Sequence, residues 1–260
     1  MKNKELGAFI SVISHNRPQN IDKITSLVGD CTFFVNKGEK ESYIRGGAKR
    51  VIECGDDICD ARNKAIKIAF SLKLPCIQVS DDLRYLRKIY FPEGQEKRKV
   101  IPATFNEVVK TMLGELKRTG LKYGGIAVTS NRMNYVKDVN FSYDKLIVND
   151  LICIMPDCNF IFDKEMALKE DYDFTLVNIL LNKGVVRCNQ FFGQFPHREN
   201  EGGANEYRSF EAEKKANERL IRKWGDFIKK HPSRENQISL NYSTIKKVLI
   251  KNYGVEKFSY

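Results

Sequence analysis

Short apolar runs alternate with amphipathic segments over residues 8–79, and this alternation restricts the fold more than any other feature of the chain. Helical spacing of apolar residues predicts helices at 21–28 and 57–74, and the side chain of Asp57 suits an N-cap for the second. Strands are predicted at four continuous apolar runs: 8–14, 31–35, 50–54 and 76–79. Strands that are apolar throughout and separated by helices are typical of a largely parallel sheet covered on both faces. We therefore expect an α/β fold with a mostly parallel central sheet flanked by helices.

The second half of the chain mixes helix and strand signals. Apolar runs predict strands at 124–130, 151–156, 159–162 and 185–192. Apolar periodicity predicts helices at 105–120, 174–184, 208–232 and 243–252. Since the last two helices are rich in Lys and Arg, we expect a domain over 1–204 followed by a basic helical appendage over 205–260.

The composition is that of an ordinary soluble globular chain, with 42% hydrophobic and 30% charged residues. No apolar run approaches about 18 residues, so no membrane-spanning helix is expected. Seven cysteines, an odd number, and the polar start MKNKELG favour reduced thiols in a cytoplasm. The formal net charge of +11 favours a polyanionic partner or an anionic substrate, although a merely basic soluble protein is the alternative.

The strand ending at residue 79 is followed by the most informative motif, Ser80-Asp81-Asp82. In parallel sheets, ligands bind beyond the carboxyl ends of the strands. Adjacent carboxylates repel each other unless a cation neutralises them, and oxygen ligands suit Mg²⁺ or Mn²⁺. Such an ion bridges a diphosphate and stabilises the charge of a leaving group. The alternative is a solvated turn, where Asp is common.

Three further motifs each have a chemical and a structural interpretation. Arg62 and Asn63 lie near the start of the helix at 57–74, where a guanidinium suits a phosphate or a uracil edge, or simply covers a helix surface. Glu170 and Asp171 precede a helix, where an acid serves as a general base or favours the helix dipole. His197 follows a strand, and is either a late metal ligand or an ordinary histidine.

The order of these motifs along residues 7–200 resembles the glycosyltransferases of the A fold. That family has a metal-binding DxD motif at a strand end, a glycine loop, an xED motif that supplies a base, and a late histidine. The resemblance, in which Ser80 takes the first DxD position, implies that Asp82 and His197 bind Mn²⁺ or Mg²⁺ and that Asp171 or Glu170 is catalytic. It also implies a set of nucleotide-sugar-binding residues: Ser14, Asn16, Arg17, Arg62, Asn63, Asp81, Gly124 and Gly125.

A narrower resemblance covers the segments SHNRP, ARN, SDDL, KEDYDF and HRENEGG, which look like those of TET/JBP-associated glycosyltransferases and related phage enzymes. Members of that group attach sugars to hydroxymethylated bases, so the resemblance implies a UDP-sugar donor and a DNA acceptor. Residues 84–100 agree with this, since six basic residues oppose two Glu and are interleaved with aromatic rings. A solvated loop is the alternative. The DNA contacts expected in this segment are Arg84, Arg87, Lys88, Lys97, Arg98 and Lys99.

Three functions therefore remain open. The first is a metal-dependent glycosyltransferase that moves a sugar from a UDP-sugar to a hydroxyl of a modified base in DNA, such as hydroxymethylcytosine. The second keeps the enzyme and replaces the acceptor by a saccharide, a lipid or a protein. The third is a nucleic-acid-binding protein without catalytic activity, in which the acidic motifs are turns.

Overall fold

The structure, a computed structural model, describes residues 2–3, 5–127, 135–196 and 209–254. Within these ranges, none of the helices has both the length and the apolarity that crossing a bilayer requires. The helices are α1 Ile21–Val28, α2 Lys40–Arg45, α3 Ile58–Ser71, α4 Phe105–Thr119, α5 Glu170–Leu181, α6 Phe210–Trp224 and α7 Tyr242–Tyr253. The strands are β1 Lys2–Asn3, β2 Ala8–Ile13, β3 Thr32–Val35, β4 Val51–Glu53, β5 Cys76–Ser80, β6 Tyr85–Tyr90, β7 Lys99–Ala103, β8 Tyr123–Ile126, β9 Phe141–Ser142, β10 Leu151–Ile154, β11 Val186–Cys188, β12 Phe191–Gln194, β13 Ile228–Lys230 and β14 Ile238–Leu240.

One large sheet runs through the molecule in the order β4-β3-β2-β5-β10-β8-β11-β9, with β1 added beside β2. The four strands from β4 to β5 are mutually parallel, and β8 is parallel to β11. Strand β10 is antiparallel to both of its neighbours. The architecture confirms the predicted α/β class with a mostly parallel central sheet, and β10 is the main departure from a parallel arrangement.

Helices cover both faces of this sheet, which explains why its strands are apolar throughout. In β2, Ile10 and Val12 belong to the core beneath α1 and α4, whereas Phe9 and Ile13 belong to the core beneath α3 and α5. Successive side chains of a strand point to opposite faces, so each of these residues is buried on its own side. All six residues of β2 are buried.

A second, three-stranded sheet has the order β12-β6-β7 and was not expected from the sequence. The charged segment 84–100 is a hairpin rather than a loop, and β12 pairs with its first strand. The apolar run 185–192 supplies both β11 and β12, and therefore connects the two sheets. The strand predicted at 159–162 is absent, because the backbone of Phe162 is hydrogen-bonded to the side chain of Asn63 at 2.8 Å.

The C-terminal region packs on the side of the sheet that carries α3 and α5. Its apolar residues Leu220, Ile228 and Leu249 belong to the same core as these two helices. The helix predicted at 208–232 ends earlier, at Trp224, and Gly225 with a positive φ of 52° follows it. The boundary predicted between residues 204 and 205 lies outside the described residues.

Candidate active site

A cavity of about 220 Å³ lies at the carboxyl edge of the parallel strands. This is the edge at which ligands bind in open α/β sheets. Five carboxylates line the cavity: Asp81, Asp82, Asp150, Glu170 and Asp171. The basic residues in its wall are His15, Arg17, Arg62 and Lys169. The cavity thus brings together the acid pairs predicted after β5 and at the start of α5, which lie far apart in the sequence.

The pair that follows β5 is held by a loop that follows β2. Nη1 of Arg17 lies 3.1 Å from Oδ1 of Asp81 and 3.6 Å from Oδ2 of Asp82. The hydroxyl of Ser14 donates a hydrogen bond to Asp81 and shares another with the hydroxyl of Tyr43. All three charged side chains are almost fully buried. Burial raises the pKa of Asp81 to about 6, although Ser14 and Arg17 both oppose this shift.

Arg62 reaches the cavity from the first turns of α3, which Asp57 caps by accepting a hydrogen bond of 2.9 Å from the amide of Asp60. Both of its terminal nitrogens donate hydrogen bonds within the protein. Nη1 donates to the side chain of Gln78 at 3.2 Å, and Nη2 donates to the carbonyl of Asn149 at 3.1 Å. Of the three nitrogens of this guanidinium, Nε alone has no hydrogen-bond partner among the described residues. The terminal nitrogens of Arg62 were expected to face a nucleotide. They instead join α3 to Gln78 and Asn149 and so stabilise the cavity wall.

The acid pair at the start of α5 is divided between two environments. Oε1 of Glu170 lies 3.5 Å from Nη2 of Arg62 and accepts a 3.5 Å hydrogen bond from Asn149. Oδ1 of Asp171 accepts a hydrogen bond of 2.9 Å from the amide of Tyr172. Desolvation, followed by the charge of Glu170, raises the pKa of Asp171 to about 7. A carboxyl group that titrates near neutrality suits general acid–base chemistry.

Several predicted nucleotide-sugar-binding residues do not line the cavity. The amide of Asn63 binds the backbone of Phe162 instead, and the backbone amide of Asn16 donates to Glu39. Gly124 and Gly125 lie inside β8 rather than in a loop. A Cβ atom added to Gly125 would lie 2.3 Å from a methyl group of Ile147, so close packing accounts for this glycine. His197 lies outside the described residues.

Sequence reasoning missed Asn149 and Asp150, which line the cavity just before β10. The hydroxyl of Tyr123 donates a 2.5 Å hydrogen bond to the side chain of Asn149. Because β10 is antiparallel to β5, the start of β10 meets the end of β5 at the same edge. The only signal for these residues is the polar pair directly before the apolar run at 151–156, and its meaning depends on a strand direction that the sequence does not reveal.

The donor set around Asp82 fits a divalent cation that binds together with phosphate. Mg²⁺ is usually held by one or two carboxylates with water and substrate phosphates rather than by a complete protein cage. Asp81 and Asp82 supply such a pair of oxygen ligands at the cavity wall. In the part of the chain that the structure describes, no group of three or more His, Cys, Asp or Glu residues is arranged to hold a metal. The residues thus suit an ion delivered with its substrate.

The basic residues of 84–100 are divided between the two faces and the tip of the small sheet. Arg87 lies with its guanidinium 4.8 Å from the ring centre of Tyr85. The neighbouring Lys88 points to the opposite face, where its Nζ lies 3.0 Å from Glu107 of α4. Lys99 begins β7 opposite Tyr90. Arg84 precedes β6, whereas Lys97 and Arg98 lie in the segment before β7.

Comparison of the chain with protein-family models gives no match, and comparison with curated proteins gives no significant match.

Proposed function

We propose that the protein is a metal-dependent glycosyltransferase that moves a sugar from a UDP-sugar to a hydroxyl group on a modified base in DNA. One observation supports this proposal above all. The carboxylates of Asp82 and Asp171 come from distant parts of the chain and line one cavity at the carboxyl edge of the sheet. A transfer reaction needs both a site for the departing diphosphate and a group that accepts the proton of the attacking hydroxyl.

Asp82, together with Asp81, would hold the divalent cation. When bound, Mg²⁺ or Mn²⁺ supplies positive charge that stabilises the departing diphosphate. Arg17 keeps the carboxylates of Asp81 and Asp82 in place through the contacts of its Nη1 atom. Ser14 orients the carboxylate of Asp81 by donating a hydrogen bond to it.

Asp171 would accept the proton of the acceptor hydroxyl as that oxygen attacks the sugar. Glu170 is less suited to this role, because Arg62 and Asn149 already engage its carboxylate. A base that activates the acceptor directly implies attack from the face opposite the diphosphate. The anomeric configuration of the sugar is therefore expected to invert.

The DNA acceptor is supported by charge and by position. The chain carries a formal net charge of +11, and six of its basic residues lie in 84–100. That segment starts directly after Asp82 and Leu83, so it leaves the cavity wall as it enters β6. Basic residues beside an active site attract a phosphate backbone.

The test is to incubate the protein with Mn²⁺, a panel of UDP-sugars and DNA that contains hydroxymethylcytosine, and then to weigh the digested nucleosides. We expect one nucleoside to gain the mass of a glycosyl unit, and no gain with unmodified DNA or after EDTA treatment. Transfer to a saccharide, lipid or protein but not to DNA would overturn the proposed DNA acceptor. Absence of transfer from every donor to every acceptor would overturn the proposed glycosyltransferase activity.

A non-catalytic nucleic-acid-binding protein is the second candidate, and the ion pairs of Arg17 favour it. Since this guanidinium contacts both Asp81 and Asp82, the acid pair has a partner without any metal. The two candidates differ in their response to UDP with Mn²⁺. The enzyme should show a higher midpoint of thermal unfolding with both ligands than with either one, whereas the binding protein should show no change.

A further inference from the structure

The small sheet has two chemically different faces, which we call the inner and outer faces. The inner face carries Leu86, Lys88 and Phe191, and its apolar residues belong to the main core beneath α4. The outer face carries Tyr85, Arg87, Ile89 and, across the strands, Phe192 and Val100. Side chains alternate between the faces along β6, so neighbouring residues of this strand meet different surroundings.

Aromatic rings and cations alternate on the outer face. Besides Arg87 over Tyr85, Nζ of Lys137 lies 5.8 Å from the ring centre of Phe91. The ring of Phe91 stacks against that of Tyr135 with centres 6.0 Å apart and an angle of 21° between the planes. Tyr85, Arg87 and Phe91 are each only half-buried. Rings that are fixed from behind and bordered by cations provide stacking surfaces for unpaired bases.

Ion pairing distinguishes Arg87 from its basic neighbours. Among the described residues, Arg87 forms no ion pair, whereas Lys88 is paired with Glu107 at 3.0 Å and Lys137 of the outer face with Glu96 at 3.2 Å. The guanidinium of Arg87 can therefore meet a phosphate without first losing a carboxylate partner. Segment 84–100 as a whole has six basic residues against two Glu, which complements a polyanion.

The position of the acids in the cavity favours a single strand over a duplex. Asp82 lies in the cavity wall and is almost fully buried, so the hydroxyl of a base must enter the cavity to reach the site. Enzymes that modify a base inside a duplex must therefore take the base out of the stack. Tyr85 is the third residue after Asp82, so the outer face begins beside the cavity wall.

We propose that the outer face of the small sheet binds a single-stranded or locally unpaired stretch of DNA, with bases stacked on Tyr85 and Phe91 and a phosphate near Arg87. This inference rests on the proposed DNA acceptor. Binding is nevertheless measured without transfer, so the two proposals can fail separately. Transfer to a small hydroxymethylated nucleoside without strand binding would overturn this inference alone. Strand binding without transfer would overturn the proposed enzyme alone.

The experiment measures the fluorescence anisotropy of a labelled single strand of about 20 nucleotides and of the matching duplex at several salt concentrations. The strand is longer than the roughly 16 nucleotides that the largest single-strand sites of this kind cover. Tyr85→Leu should weaken single-strand binding about tenfold, or about 1.4 kcal/mol, because it removes the ring on which one base stacks. Arg87→Gln should weaken it several-fold and reduce the slope against the logarithm of salt by about one. Lys88 was among the DNA contacts expected from the sequence, but its ammonium group is paired with Glu107 on the inner face. Lys88→Gln is therefore the matched control and should change binding less than twofold.

Tighter binding of the single strand than of the duplex, together with a larger effect of Arg87→Gln than of Lys88→Gln, would support the proposal. Equal or tighter duplex binding would overturn it. Equal effects of the two charge substitutions would also overturn it, since they would indicate attraction by net charge alone. Thermal unfolding midpoints identify a variant that fails to fold, and Tyr85→Met or Arg87→Met then replaces the failed substitution at the same position.

Discussion

The cavity contains two pairs of consecutive acids, and the two pairs are stabilised in different ways. Arg17 contacts both members of the first pair, Asp81 and Asp82. In the second pair, Arg62 contacts Glu170, and no cation among the described residues forms an ion pair with Asp171. Asp81 and Asp82 therefore share the positive charge of Arg17. In the second pair, Arg62 offsets the charge of Glu170, whereas Asp171 can lose its negative charge only by binding a proton.

This difference assigns different chemistry to two motifs that look alike in sequence. Carboxylates that share one guanidinium keep excess negative charge, which suits a site for a further cation. An acid whose pKa rises to about 7 through burial and a neighbouring carboxylate suits proton transfer. Under the proposed function, the environment of each acid rather than its residue type would separate metal binding from base catalysis.

The largest expected effect comes from removing the carboxylate at the first pair. Asp82→Ala should lower transfer roughly a thousandfold, because the departing charge loses its bound cation. Arg17 retains its contact with Asp81, so the variant should still fold. Radiolabelled sugar transfer and circular dichroism measure the two properties. Full activity in a folded variant would remove the metal assignment.

Removing the base at the second pair should have the next largest effect. Asp171→Asn should lower transfer about a hundredfold, the lower end of what general base catalysis contributes. It should leave UDP binding in the presence of Mn²⁺ unchanged, which isothermal calorimetry measures. The configuration of the wild-type product, read by proton NMR, provides an independent check. A retained anomeric configuration would contradict a direct base.

Glu170→Gln sharpens the comparison within the second pair. The negative charge of Glu170 helps to raise the pKa of Asp171, so its removal should lower that pKa. Because a general base must be ionised, kcat/KM of the wild type should rise with pH through this pKa. In Glu170→Gln, this rise (the acid limb of the pH profile) should move to lower pH by about one pH unit. Glu165→Gln, at an exposed position before the same helix, is the control and should leave the limb in place. An unmoved limb in Glu170→Gln would show that another group titrates.

The smallest effect concerns stability. An acid whose pKa is raised on folding stabilises the native state at low pH, and this contribution is lost as pH rises from about 4 through about 7. Asp171→Asn should therefore raise the midpoint of thermal unfolding relative to wild type by about 3 °C at pH 8 and by less at pH 5. Differential scanning calorimetry without metal measures this difference. A difference that shrinks as pH rises would contradict the raised pKa.

The strands of the parallel half could be predicted closely because burial on both faces leaves an uninterrupted apolar run. The hairpin β6–β7 could not, because its charged residues find partners only through the fold. Lys88 lies on a core-side face because Glu107 and Phe191 receive it there. Phe162 shows the opposite error, since its apolar run suggests a strand while its backbone is hydrogen-bonded to the side chain of Asn63 instead of a neighbouring strand.

At the site, the sequence indicated the acids but not the partners that distinguish them. The position of Asp82 could be predicted because the ends of parallel strands share an edge of the sheet, whereas only the resemblance to A-fold glycosyltransferases implied that Asp171 joins it. The pairing of Arg17 with both acids depends on how the loop after β2 turns back, which no local pattern encodes. The roles of Arg62 and Asn63 were expected to be similar, yet one lines the cavity and the other binds a backbone.

The C-terminal region contacts a third acid, Asp173, on the helix α5 that carries the second acid pair. Nε1 of Trp224 donates a 2.7 Å hydrogen bond to Asp173, and Nζ of Lys223 lies 2.8 Å from the same carboxylate. Asp173 is 2% exposed and belongs to the helix that carries Asp171. A shortened protein ending before α6 would leave this acid without either contact, in an apolar setting. Anyone seeking a minimal catalytic fragment should therefore retain the last fifty or so residues, whatever they contribute to DNA binding.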